Sequence, residues 1–239
     1  MKQIKRTCVY YNLDLTEYQT AWKLQKLLAE NRLQQKIPDV LLFTEHPHTI
    51  TMGKSGQAEN LLISPSQMTG KGIAFEEVDR GGDVTYHGPG QVVAYPILNL
   101  SQIREDVIWY LRQLEEVIIR TLARFRISAA RKEKYTGVWV GEEKIAAIGV
   151  KVSRWITTHG LALNVCPDLS YYDYIIPCGI RNKNVTSMVR LMKKDVTPGQ
   201  VIPKMVNQFA DVFQFRMMPY NHASWPVLSE LLKENGIYY

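Results

Sequence analysis

No stretch of this 239-residue chain is long and apolar enough to span a bilayer, and no long apolar segment follows the opening Met1-Lys2-Gln3-Ile4-Lys5-Arg6. Neither a membrane anchor nor a secretory leader is therefore expected, and the expected location is cytoplasmic. Cysteine is scarce: Cys8, Cys166 and Cys178 are odd in number and unevenly spaced, which argues against a disulfide framework and fits reduced thiols. There is no C-x-x-C pair and no spaced His/Cys cluster, so no metal site is expected; His46-Pro47-His48 comes nearest and reads as a turn. Internal repeats, low-complexity segments and strong linkers are missing too. The 29 basic residues exceed the 23 acidic ones, for a net charge of +6, but they are scattered without interleaved aromatics. That balance suits an acidic partner, whether nucleic acid or an acidic protein, and does not choose between them, although the missing aromatic interleaving weakens a nucleic-acid module.

What is present alternates between strand and helix periodicities in separate blocks. Residues 4–11 read as a first strand, followed by a helix with Thr16-x-x-Gln19 as capping box and Ala21, Leu24 and Leu28 on its apolar stripe. Val40–Thr44 and Thr49–Met52 read as short strands, Ser64-Pro65-Ser66 opens a helical turn, and Ile73–Asp79 and Val92–Leu100 are further strands. Val107 to Phe125 carries the clearest helical stripe. Tyr135–Val140, Lys144–Val152, Trp155–Thr158 and Leu161–Val165 are expected as a four-run meander, with His159-Gly160 as one of its turns. Thr197-Pro198-x-Gln200 caps a later helix whose regular part is expected beyond Pro203, and a short helix covers 226–235. Strands and helices are segregated, so the expected fold class is α+β with a mixed or antiparallel sheet and flanking helices.

Chemistry is suggested by four short patterns. Arg80-Gly81-Gly82-Asp83-Val84-Thr85-Tyr86-His87-Gly88-Pro89-Gly90-Gln91 braces a polar and aromatic arm between two glycine hinges, like the wall of a pocket, although alone it also fits a glycine-rich connection. Cys178 stands between Pro177 and Gly179, surroundings that suit an accessible nucleophile, whereas Cys8 and Cys166 read as ordinary buried or strand-end thiols. A thiol at its reference pKa needs a cation or base beside it, and Lys144, His87 and His159 are the candidates. Lys144 opens the run Lys-Ile-Ala-Ala-Ile-Gly, where alternation leads it onto an apolar sheet face; a solvated lysine at a hairpin end is the plainer reading.

Taken together, Arg-Gly-Gly-x-x-Thr-Tyr-His-Gly-Pro-Gly-Gln at 80–91, Lys-Ile-Ala-x-x-Gly at 144–149, His-Gly-x-Ala-Leu-Asn at 159–164 and Pro-Cys-Gly-Ile at 177–180 resemble the lipoyl(octanoyl) transferases, over roughly residues 40–215. The resemblance implies the catalytic domain shared with lipoate and biotin protein ligases, here residues 1–217, with 218–239 as a C-terminal extension of unassigned role. It implies transfer of an octanoyl group from acyl carrier protein to a lysine of a lipoyl domain, as in 2-oxoacid dehydrogenase subunits and the glycine cleavage H protein, by a monomer. No cofactor is implied, because the substrate arrives on the carrier's phosphopantetheine arm. On the matching positions Cys178 is the acyl-thioester nucleophile and Lys144 its partner. The acyl pocket is lined by Arg80, Gly81, Gly82, Asp83, Val84, Thr85, Tyr86 and His87, by Ala147, Ile148 and Gly149, and by Gly160, Leu161 and Ala162. Burying about six methylenes at ~0.8 kcal/mol each gives ~5 kcal/mol for the octanoyl chain. An ATP-dependent ligase on the same fold is the nearest alternative; the His-Gly-Pro-Gly-Gln run and the pairing of Lys144 with Cys178 weigh against it.

Overall fold

The computed structural model describes residues 5–133, 135–176 and 184–236. Its centre is an eight-stranded sheet, in the order β11-β1-β2-β6-β10-β9-β8-β7. These strands are β1 (Arg6–Leu15), β2 (Asp39–Glu45), β6 (Gln91–Ile97), β7 (Ala130–Lys132), β8 (Tyr135–Val140), β9 (Glu143–Ser153), β10 (Ile156–Asn164) and β11 (Phe215–Pro219). A second sheet of three strands, β4 (Ala74–Glu77), β3 (Thr49–Met52) and β5 (Val84–His87), stands beside it. Parallel pairing joins β1 to β2 and β11, and the remaining pairs of the large sheet are antiparallel, so the sheet is mixed as expected.

Period-2 alternation sends the side chains of the central strands β2 and β6, buried on both faces, into two cores. Leu41, Phe43, Val92 and Ala94 point into a core with α3 (Val107–Ala123) and α5 (Pro198–Phe213), while Val40, Leu42, Val93 and Tyr95 point into another with α1 (Tyr18–Leu33) and α6 (Pro226–Glu234). Helices thus cover the sheet from both sides. Between α1 and β2, the buried Arg32 Nε donates to Asp39 Oδ1 at 2.8 Å, and the same oxygen accepts from Asn99 N at 2.9 Å. The carboxylate is satisfied on several sides, as a buried charge must be.

Four local readings of the sequence change. The helix at Tyr18 has Glu17 at its N-cap with no side-chain bond, because the Thr16 hydroxyl donates instead to Leu13 O (2.7 Å) and Gln19 reaches Glu76. Pro203 does not delay α5, which starts at Pro198; Gln200 Oε1 caps Thr197 N at 3.0 Å, and the proline lies early enough that little of the ladder is lost. His159-Gly160 is not a turn. β10 runs straight through it, with His159 at φ 56° and Gly160 still paired with Gly149, so a single left-handed residue kinks the strand without reversing it. Finally, β11 crosses the position where a domain end was drawn, pairing Arg6↔Phe215 through Tyr10↔Pro219, and Leu228 and Leu232 of α6 are buried against α1. β11 and α6 are thus part of the same sheet and core.

Candidate active site

The loop between β4 and β5 is laid against the large sheet and clamped from both sides. Lys54 N donates to Arg80 O (3.0 Å), Gly53 N to Asp83 O (3.2 Å) and Ser55 N to Gly82 O (3.2 Å), while Gly81 N donates to Val150 O of β9 (2.9 Å). Gly149 permits that approach: a Cβ there would lie 2.9 Å from Gly81 O and 3.0 Å from Arg80 Cδ. Arg80 itself is buried, its Nη2 donating to Thr51 O and Thr51 Oγ1, both at 2.8 Å.

Between this loop and the sheet lies a narrow slot of about 50 Å³. Arg80, Gly82, Asp83, Val84, Thr85 and His87 line one side, Ala147, Ile148 and Gly149 of β9 and Gly160, Leu161 and Ala162 of β10 the other. The register pairs Ala147 with Ala162 and Gly149 with Gly160, so small residues face one another across the two strands. The slot opens into a wider mouth of about 630 Å³ walled by Ser55, Gln57, Asn60 and Gly81 on its polar side and Val107, Leu111 and Tyr135 on its apolar side. Gly82, Asp83, Lys144, Ile148 and Gly149 line both cavities.

Tyr86 faces elsewhere. Alternation along β5 sends Thr85 and His87 to the slot and Tyr86 to a third core with Ile50, Tyr172 and Ile175, where its hydroxyl meets His48 Nδ1 at 2.8 Å and its ring stacks on Tyr171. Gln91 and Asn164, the ends of two sequence patterns, likewise serve as braces. Gln91 Nε2 donates to Asn164 Oδ1 (3.0 Å) and Tyr86 O (3.2 Å), and Asn164 Nδ2 donates to Thr186 O (3.0 Å).

Lys144 stands where slot and mouth meet and is only 6% exposed. Its Nζ lies 5.0 Å from the centroid of the Trp139 ring, a cation–π placement. The side chain runs past Gly137, which has φ 125° and whose N–H donates to the buried Glu115 Oε1 at 3.1 Å; a Cβ there would come within 3.3 Å of Lys144 Cε. Residues 184–186 pair alongside it, with Lys144 N donating to Asn184 O (2.9 Å) and Thr186 N to Lys144 O (3.0 Å). Cys178 lies outside the described residues. Upstream of that segment, Ile176 N donates to Asn60 O at 2.8 Å, so both described flanks are bonded to residues of the mouth.

The two histidines of the slot, unlike Lys144, do not reach the mouth. Burial, then the neighbouring His46 and the Arg80 cation, hold His87 well below the usual imidazole range. Burial likewise pushes His159 down to about 4, although Asp79 pulls the other way. Neutral His159 uses Nε2–H toward Asp79 Oδ1 (2.8 Å), leaving Nδ1 to the Tyr18 hydroxyl (3.4 Å). His46, pushed down to about 4 by burial, donates from Nδ1 to Thr16 O (2.6 Å) and accepts from the Tyr95 hydroxyl at Nε2 (2.7 Å). Tyr18 and Tyr95 also line the slot. Sequence reasoning missed both, and no local signal marked them, since each reads as an ordinary stripe or strand residue. No group of three or more His, Cys, Asp or Glu side chains among the described residues is placed to hold a metal ion.

A sheet covered by helices on both sides is a fold this chain shares with lipoate and biotin protein ligases. A crystal structure of lipoate-protein ligase A bound with ATP superposes with a TM-score of 0.71 at 15% identity, covering 97% of this chain and 95% of that one. The biotin protein ligase of Aquifex aeolicus gives a TM-score of 0.50 at 13% identity, covering 88% and 70%. Within that class the assignment is specific: residues 17–210 match the lipoyl protein ligase A/B catalytic domain, and the chain belongs to this family. It is 50% identical to an octanoyltransferase of Solibacter usitatus over 214 residues, 90% of this chain and 96% of the relative.

Proposed function

We propose that this protein is an octanoyltransferase that moves an octanoyl group from acyl carrier protein to a lysine of a lipoyl domain through a thioester on Cys178. The carrying observation is that Lys144 lines both the narrow slot, floored by Ala147, Gly149, Gly160 and Ala162, and the wider mouth. The octanoyl chain lies over Ala147, Gly149, Gly160 and Ala162. The carrier's arm enters by the mouth, whose Ser55, Gln57 and Asn60 suit its amides and whose Val107, Leu111 and Tyr135 suit its alkyl portions.

In the first half the Cys178 thiolate attacks the thioester carbonyl, the acyl–sulfur bond to the arm breaks, and the Lys144 ammonium gives its proton to the departing thiolate. In the second half the acceptor amine attacks the Cys178 thioester, an amide forms, Lys144 takes the proton from the attacking nitrogen, and the Cys178 thiolate leaves. Cysteine and lysine return to their starting states. The thioester already stores the energy, so the reaction as proposed requires neither ATP nor metal. His87 and His159 supply no proton, since both are uncharged and lie along the slot.

The test is incubation with octanoyl carrier protein in the absence of ATP, followed by intact-mass measurement of enzyme and lipoyl domain. Octanoyl is expected on the enzyme first and on the domain afterwards. Cys178→Ala should abolish both species and Cys166→Ala should keep both. An adduct that survives Cys178→Ala overturns the nucleophile, and transfer that needs ATP overturns the transferase reading in favour of a ligase.

A further inference from the structure

The slot has a neighbour. A second cleft of about 360 Å³, which shares no lining residue with slot or mouth, is lined by Trp22, Lys26 and Leu33 of α1, by Lys151 of β9, by Thr158 of β10 and by Asp79. The two cavities follow the same three elements. On α1, Tyr18 lines the slot and Trp22, one turn later on the same face, lines the cleft. On the strands, Gly149↔Gly160 lies in the slot, Val150↔His159 follows it, and Lys151↔Thr158, two residues on along each strand, lies in the cleft. One layer of side chains stands between them. His159 faces the slot and is 1% exposed; its Nε2 meets Asp79 Oδ1 at 2.8 Å, and Asp79 Oδ2 meets Lys151 Nζ at 2.5 Å on the cleft side. Tyr18, 2% exposed, reaches His159 Nδ1 at 3.4 Å, and His159 N is fixed by the buried Gln25 Oε1 at 2.7 Å.

An apolar slot without an end would favour longer chains, each extra methylene gaining about fourfold in affinity where there is room for it. A preference for one acyl length therefore needs a stop, and a stop is strong only when it is held. We propose that the layer of Tyr18, His159 and Asp79 is the end wall that sets the longest acyl chain the enzyme accepts, and that the cleft behind it is unused space into which a longer chain extends once the wall is removed. This rests on the octanoyl-transfer reading. It adds that acyl length is decided by a hydrogen-bonded partition and not by the length of a blind apolar pocket.

The experiment compares octanoyl and dodecanoyl carrier protein as donors to a lipoyl domain, with acceptor mass as the readout. Wild type should transfer octanoyl and discriminate against dodecanoyl. Tyr18→Ala and His159→Ala should each raise the dodecanoyl-to-octanoyl ratio by tenfold or more, whatever happens to the octanoyl rate itself, while Tyr18→Phe, which keeps the bulk of the wall, should leave the ratio within about twofold. Trp22→Ala enlarges only the cleft: alone it should not move the ratio, and combined with Tyr18→Ala it should extend acceptance further, a non-additive pair. If one wall variant does not fold, the other and Asp79→Ala, which removes the anchor of His159, carry the same comparison. A ratio unchanged in the folded wall variants overturns the partition. Failure of wild type to transfer octanoyl overturns the functional reading instead, so the two failures are distinct.

Discussion

Along the slot the ionisable rings of His87 and His159 are held uncharged by burial and by the Arg80 cation, and the floor is alanine and glycine. In the mouth, by contrast, Asp83 and Lys144 stand among amides and hydroxyls on one wall and aliphatic side chains on the other. A tight channel floored by alanine and glycine, with the Arg80 guanidinium on its other wall bonded to Gly81 O and Thr51, suits an alkyl chain, which gains by leaving water. Proton transfer needs the opposite: a polar group at the channel's edge, with room for two partners in turn. Binding and bond-making are thus separated along one axis, and Lys144 is where they touch.

The largest effect expected from this division lies at that residue. Lys144→Ala should lower kcat by about 10²–10⁴-fold, the span usual for a positioned acid–base group, with little change in KM for the octanoyl carrier. Lys144→Arg sharpens the point. A guanidinium keeps the positive charge that stabilises a departing thiolate, which can leave unprotonated, but it cannot take a proton from the attacking amine, so the first half should be slowed less than the second and the acyl-enzyme should accumulate. Single-turnover mass measurement separates the halves. Equal loss of both in Lys144→Arg would deny the residue its role in the second.

The next effect concerns the neutrality of the slot's surroundings. Burial lowers the folded-state pKa of His46 from its ordinary 6.5 to about 4. Between those values the unfolded chain binds the proton and the folded one does not, so stability is present above about 6.5 and is lost as pH falls toward 4. For this one group the loss reaches about 3 kcal/mol, because each pH step between the two values is worth roughly 1.4 kcal/mol. Urea midpoints taken across the range should fall accordingly, and His46→Asn should flatten part of the decline. A wild-type profile that stays level would mean that these rings are not kept neutral by burial, and the contrast between slot and mouth would weaken.

Much of this division was legible in the residues. Three of the four patterns put most of the expected site residues, from Arg80 to Ala162 and including Lys144, around the slot, and the fourth, 177–180, lies outside the described residues. Apolar stripes located α1, α3 and α5 because helix burial leaves a period that sequence records. Other features left no local trace. Tyr86 sits within the same pattern as His87, yet one step of strand alternation turns it into another core, and only the pairing with β3 fixes which face is which. Tyr18 and Tyr95 enter the slot from a helix and a strand whose own periods already explain them as core. His159-Gly160 looked like a turn because both residues favour one; its straight passage depends on β6 and β9 pairing on either side. The polar wall of the mouth, Ser55 to Asn60, comes from a loop without periodicity, and loops take their positions from what they pack against.

The smallest effect tests the mouth. Leu111 is partly buried and lines its apolar wall. Leu111→Asn removes part of a contact worth about 0.5–1 kcal/mol, because only a fraction of the side chain's apolar area is covered. KM for the octanoyl carrier should rise about two- to fivefold by that reasoning, with kcat changed less and the acyl-length ratio unmoved. Ionic strength provides the control. The net charge of +6 favours an acidic carrier at long range, so salt should raise KM in wild type and in Leu111→Asn with parallel slopes. Among the described residues, Asp83 and Lys144 are the charged side chains that line the mouth and their charges offset, so an apolar substitution there should leave the slope alone. A changed slope would show that capture of the carrier and seating of its arm are one event, not two.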